Sequence, residues 1–152
     1  MQPLQPNAIG SVVPIFGGVG GGGGGGGGTG IISLVGAWTV PVGSLVGQLI
    51  YVTGAFVGDL ADASAPATTP VVGMIIVKPT PTTATVLYLG ESPVGLLAGL
   101  AIGSEYFLSL VAGGIIIEGS APIGVGEVVQ RVGVAITATQ LLFNPDPTKV
   151  IL

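Results

Sequence analysis

The stretch "GEVVQRVGVAITAT", residues 126–139, carries the plainest periodicity in the chain. Read as extended backbone, it sets Val128, Gln130, Val132, Val134 and Ile136 on one face. Glu127, Val129, Arg131, Gly133 and Thr137 fall on the other. Side chains alternate along a strand with a period of two. A mainly apolar face turned inward and a mixed face turned outward are therefore expected. Helical spacing hardly appears elsewhere, so this strand sets the pattern for reading its neighbours.

Downstream, "QLLFNP" (140–145) and "KVIL" (149–152) are expected to close the same sheet across the turn "NPDPT". Upstream, "EYFLSLV" (105–111) and "IIIE" (115–118) flank Ala112, Gly113 and Gly114, a three-residue hairpin loop containing glycine. "VVGMIIVK" (71–78) is a continuous apolar run, as a strand covered on both faces requires. "PTPTT" turns it back into "ATVLYLGE" (84–91). "LVGQLIYVT" (45–53) reads as a further strand, followed by the loop "GAFVGDLADASAPATTP" (54–70). "SPVGLLAGL" (92–100) has glycines enough to limit it to one helical turn. Many short strands with Gly/Pro turns predict an all-β body over residues 31–152, a small antiparallel β-barrel or sandwich.

Residues 1–30 are expected to form an extended Gly/Pro-rich arm. The first 16 carry three prolines, which disfavour helix and remove backbone donors. Val12, Val13, Ile15 and Phe16 are its adhesive portion, suited to a groove or a neighbouring subunit. The run "GGVGGGGGGGGGTG" (17–30) matches a phosphate-binding glycine motif only trivially. Such a site needs a strand before the glycines and a helix after them, and neither pattern is present. The Walker form needs a lysine, and none precedes Lys78. The run also lacks the period of collagen. Two readings remain, a tether or a close approach of backbones at a symmetry axis. Ordering glycine costs about 1–2 kcal/mol per residue, which favours the tether.

Composition narrows the partner. Only 7% of residues are charged and 49% are apolar, against about 25% charged in ordinary domains. Abundant Val, Ile and Leu argue against disorder despite 29 glycines and 12 prolines. Apolar surface left over after the core is filled calls for oligomerisation or docking on a larger assembly. The best membrane candidate, residues 30–58, contains Pro41, several glycines and no flanking cation, and reads better as two or three strands. No basic residue precedes the N-terminal apolar stretch, unlike a secretory leader. Three scattered cations, Lys78, Arg131 and Lys149, do not make a nucleic-acid surface. Cysteine is absent.

Catalytic chemistry finds few materials. With no histidine, the commonest general base and metal ligand is missing. Ser33, Ser44 and Ser109 have no plausible basic partner in sequence. Glu91 and Glu105 could form a carboxylate pair, but eight aromatics in all are few for a sugar-binding cleft. Asp59 and Asp62 form the one local acid cluster, without the pattern of a calcium loop. They read as solvated turn residues. Trp38, Tyr88 and Tyr106 read as packing. The expectation is no enzyme, no metal and no cofactor.

The stretches "LIYVTGAFVGDLADASAPATTPVVGMIIVKPTPTTATVLYLGE", "GLAIGSEYFLSLVAGGI" and "GEVVQRVGVAITATQLLFNPDP", in this order and spacing over residues 49–147, resemble a β-rich module of tailed-bacteriophage virion proteins. That module type occurs in capsid decoration (cement) proteins and in tail or head fibres. The resemblance implies a structural role on the capsid surface, commonly as a homotrimer bound to a major capsid protein or another virion protein. It implies no catalytic residue. The first 48 residues lie outside it, and the arm would clamp neighbouring shell subunits. The alternative is a fibre protein whose 54–70 loop contacts a host receptor, and a third reading is a small membrane protein.

Overall fold

The computed structural model describes residues 33–152. Eleven strands are present among them: β1 (Leu34–Thr39), β2 (Leu49–Gly54), β3 (Val57–Leu60), β4 (Gly73–Val77), β5 (Thr83–Glu91), β6 (Glu105–Leu108), β7 (Ile115–Ile117), β8 (Val128–Val129), β9 (Arg131–Thr137), β10 (Gln140–Phe143) and β11 (Val150–Ile151). The only helical elements among the described residues are two 3-10 turns, Pro66–Thr68 and Glu118–Ser120. The protein is all-β, as the sequence predicts.

Five strands close a barrel in the order β1-β3-β2-β4-β5, with β5 pairing back onto β1. β5 is long enough to serve twice. Its first seven residues pair with β1 and β4, and its last two, Gly90 and Glu91, pair with β10. From there β10, β9, β6 and β7 continue as an antiparallel extension. The barrel is thus one wall of a second layer.

Two cores follow from this arrangement. Trp38, Val40, Ile50, Ile75, Ala84 and Val86 fill the barrel. Leu49, Met74 and Leu87, one residue out of step on the same strands, pack against Tyr106, Leu108, Val132, Ala135, Leu141 and Phe143. Strands β2, β4 and β5 are therefore apolar on both faces, which is why "VVGMIIVK" reads as an unbroken run. Inside the barrel, Gly36 leaves room for Tyr88, whose Oη would lie only 2.0 Å from a Cβ at that position. The Tyr88 hydroxyl accepts the Trp38 indole N–H at 2.5 Å, so the buried Trp38 donor is satisfied.

Several expectations are corrected. The 126–139 stretch is not one strand with one inward face. It divides at Gln130, and β9 carries a bulge: Tyr106 and Phe107 oppose Gly133 and Arg131, leaving Val132 as the extra residue. A bulge shifts the alternation by one. Val128, Gln130 and Val132 face inward as expected, but beyond the bulge Ala135 is 1% exposed and Ile136 is 37% exposed. Gln130 breaks the strand because its side chain bridges other segments. Its Oε1 accepts from Val71 N–H and its Nε2 donates to Asp146 C=O, both at 2.8 Å.

The C-terminal strand does not close the main sheet. β11 pairs with β8 in a separate two-stranded ribbon, Val150 opposite Val129. The 54–70 loop contains a strand, β3, antiparallel to β2. Residues 45–48 are turn, and β2 begins at Leu49. The β6–β7 connection is six residues, 109–114, closed by Gly114 N–H to Val111 C=O at 2.8 Å. Gly113 supplies the positive φ of +73° that its turn demands. Residues 92–100 form turns without a helical segment.

The double core and the Gln130 bridge make separate demands. Leu87→Ala is expected to cost about 2–5 kcal/mol by opening a cavity between the layers. Gln130→Leu, although more apolar, is expected to cost about 1–3 kcal/mol because it strands the buried Val71 N–H and removes the donor to the Asp146 C=O. Urea unfolding followed by Trp38 fluorescence checks both; a Gln130→Leu protein as stable as the parent would contradict the bridge.

Candidate interaction surface

No group of three or more acidic ligands is assembled among the described residues, and they form no pocket. The acids singled out in sequence are engaged locally. Asp59 accepts from the N–H of Leu60 at 2.7 Å. Asp62 accepts from Ser64 N–H at 2.9 Å, from the Ser64 hydroxyl, and from Thr68 Oγ1 at 3.3 Å. These are turn-capping contacts. Glu105 pairs with Arg131 at 2.6 Å, both side chains partly exposed, an ion pair worth about 0–1 kcal/mol.

Ser44 departs from expectation, because it does meet a base-forming residue. Lys78 Nζ lies 3.0 Å from Ser44 Oγ. The ammonium also donates to the carbonyls of Ser44 (2.8 Å), Pro41 (3.2 Å) and Val42 (3.4 Å). The Ser44 hydroxyl proton is itself given to Pro41 C=O at 2.7 Å. Both groups are used as donors to carbonyls, which is the geometry of a loop clamp and not of a nucleophile and its base. Lys149 does the same elsewhere, donating to Thr69 Oγ1 at 2.8 Å and Pro66 C=O at 3.0 Å. All three cations of the chain thus have partners within it.

What the surface offers instead is apolar. Val125 is 99% exposed, Ile123 91%, and Phe56 67%. Val42, Leu45 and Val46 protrude from the loop held by Lys78, and Val94, Ile102 and Val111 from other connections. Ile123 and Val125 stand beside the β8–β11 ribbon, where Gly126 N–H bonds Leu152 C=O at 2.7 Å. Val150, Ile151 and Leu152 add to that patch.

A second apolar region lies along β1. Thr39 N–H bonds Phe56 C=O at 2.9 Å and Val40 N–H bonds Thr82 C=O at 2.9 Å. Backbone groups alternate sides along a strand, so those of Val35 and Ala37 point away from β5, on the side of Thr39. The single β1–β3 pair is Thr39 with Val57, so Val35 and Ala37 have no strand partner there among the described residues. Leu34, Val35 and Leu89 are exposed beside this edge. Phe56 closes its far end, with a backbone φ of +54° and its ring against Trp38 at 6.0 Å, edge to face. A left-handed phenylalanine costs about 1–2 kcal/mol, offset here by the aromatic contact. Sequence gave no signal for this, since phenylalanine is not a residue of left-handed turns.

Val12, Val13, Ile15 and Phe16 lie outside the described residues. Compared with known proteins, the chain matches no family model, no curated protein and no solved structure.

Lys78→Met is expected to release the 41–46 loop and cost about 1–3 kcal/mol by leaving carbonyls without their donor. Faster amide exchange confined to residues 41–48, with the β4–β5 ladder unchanged, is the expected signature. Unaltered exchange in that loop would contradict the clamp.

Proposed function

We propose that the protein is a virion structural component, a capsid decoration protein that binds and stabilises a shell lattice as a homotrimer. The observation that carries this reading is the distribution of its apolar surface. Large aliphatic side chains stand out from separate connections, Val42, Val94, Ile102, Ile123 and Val125 among them. A body with seven acids and three cations must cover such surface with protein.

Lattice contact on several sides at once suits that distribution better than one ligand cleft does. Many copies, each adding modest interface energy, give a stabilised shell through multivalency. In this reading Val12, Val13, Ile15 and Phe16 attach the arm to neighbouring subunits, and the major capsid protein is the partner. The resemblance of residues 49–147 to phage virion modules supports the same role.

The test is the copy number of this chain in purified particles, by quantitative mass spectrometry. A simple ratio to the major capsid protein, repeated over the whole shell, is the expected result. A few copies per particle would replace the lattice role with a tail or fibre role.

A further inference from the structure

Three connections far apart in sequence adjoin in the fold. We propose that the face they form, residues 41–48, 92–97 and 109–114, is where copies of this chain meet. The inference deepens the homotrimer reading and rests on its self-association, not on the capsid role.

Gly47 and Gln48 are where the connections touch. A Cβ at Gly47 would lie 3.3 Å from Leu97 Cδ2 and 3.6 Å from the Leu96 carbonyl oxygen, so the 41–48 turn runs directly against the 92–97 segment. A Cβ at Gly113 would lie 2.8 Å from Gln48 Cβ, and Leu49 N–H bonds Gly113 C=O at 2.9 Å. Each connection is also closed by its own bond: Ser44 N–H to Pro41 C=O, Leu96 N–H to Pro93 C=O, and Gly114 N–H to Val111 C=O. The face is therefore preformed, and covering it costs little loop ordering.

Its size suits a subunit contact. Val42, Leu45, Val46, Val94, Leu110 and Val111 stand out from these connections with exposed fractions between 48% and 79%. Together they present roughly 600–700 Å² of mainly apolar surface, against about 800 Å² per partner in a standard interface. Gly43, Gly95 and Ala112, also exposed, extend it toward that value. On adjoining loops, apolar surface of this extent exceeds what a monomer usually leaves in water.

Charge selects the occupant. Residues 33–58, 92–104 and 106–117 contain no Asp, Glu, Lys or Arg. Lys78 reaches the 41–44 segment, but its ammonium is engaged by the carbonyls of Pro41, Val42 and Ser44. Copies around a symmetry axis bring the same surface together, so a carboxylate there would meet its like, and like charges oppose association. A chain with seven acids and three cations approaches itself best where acids are absent, and these connections are such a place. A basic partner would gain nothing from them. A lipid surface would be met by cations and interfacial aromatic rings, and the three segments contain no cation and no Trp, Tyr or Phe. Self-contact here leaves Ile123 and Val125, outside the three connections, for the shell.

Glutamate placed on the face tests the assignment in full-length protein. Leu45→Glu and Val111→Glu alter exposed side chains, so the fold is expected to stand, read as unchanged amide exchange in β4 and β5. By sedimentation velocity the parent is expected to associate at low micromolar concentration. Each variant is expected to raise the midpoint concentration for association about tenfold or more. Ile123→Glu, outside these connections, is expected to associate as the parent does. Association of both face variants at the parent's midpoint would overturn the face and leave the trimer to form elsewhere. An equal loss in Ile123→Glu would overturn it too, whereas a monomeric parent would remove the face and the homotrimer together. If the variants do not fold, amide exchange in the parent decides the matter: residues 41–46 and 109–114 are expected to be protected above the midpoint and released below it. Protection that persists on dilution would mean that the chain covers the face itself, and fast exchange at every concentration would mean that nothing does. Binding of the parent to phosphatidylcholine vesicles, lost in Val111→Glu, would assign the face to lipid. Each of these three results contradicts the proposal.

Discussion

The structure depends on three strands being buried on both faces. β2, β4 and β5 present Ile50, Ile75 and Val86 to the barrel and Leu49, Met74 and Leu87 to the layer outside it. A strand with one wet face can alternate, but these cannot. Each of these side chains is worth about 1.5–3 kcal/mol when fully buried. A charge placed on either face would have to be desolvated without a partner. The scarcity of charge in the sequence is in part a consequence of this shared wall.

Polar groups appear where segments have to be tied together. Gln130 joins the 71 and 146 regions across the second core. Lys78 gathers the 41–44 carbonyls and Lys149 those of Pro66 and Thr69. Using two of three cations internally leaves little positive charge for the surface. The connections consequently meet solvent with Val, Ile and Leu.

The strands that carry the cores were legible because their signal is local. Runs such as 71–78 and 84–91 announce themselves by β-branched content and flanking turns, and β4 and β5 lie where those runs do. What stayed hidden depends on partners distant in sequence. The bulge at Val132 is set by pairing with β6, so the period-two face of 126–139 holds only as far as that residue. β11 looked like a closing strand, yet it pairs with β8, because composition does not specify which edge a short strand meets. β3 was concealed in a loop of Gly, Asp and Ala, since four residues paired with β2 need little β-propensity of their own. The clamp on Ser44 and the left-handed Phe56 had no signature at all, because both are properties of where the chain folds back.

The apolar surface and the internal use of charge are the grounds for the proposal that this body is covered by protein. Sedimentation equilibrium of the full chain at low micromolar concentration tests it most directly. The account predicts a single associated species, a trimer of ~44 kDa from chains of 14.8 kDa. A stable, soluble monomer at that concentration, with no tendency to associate, would contradict it.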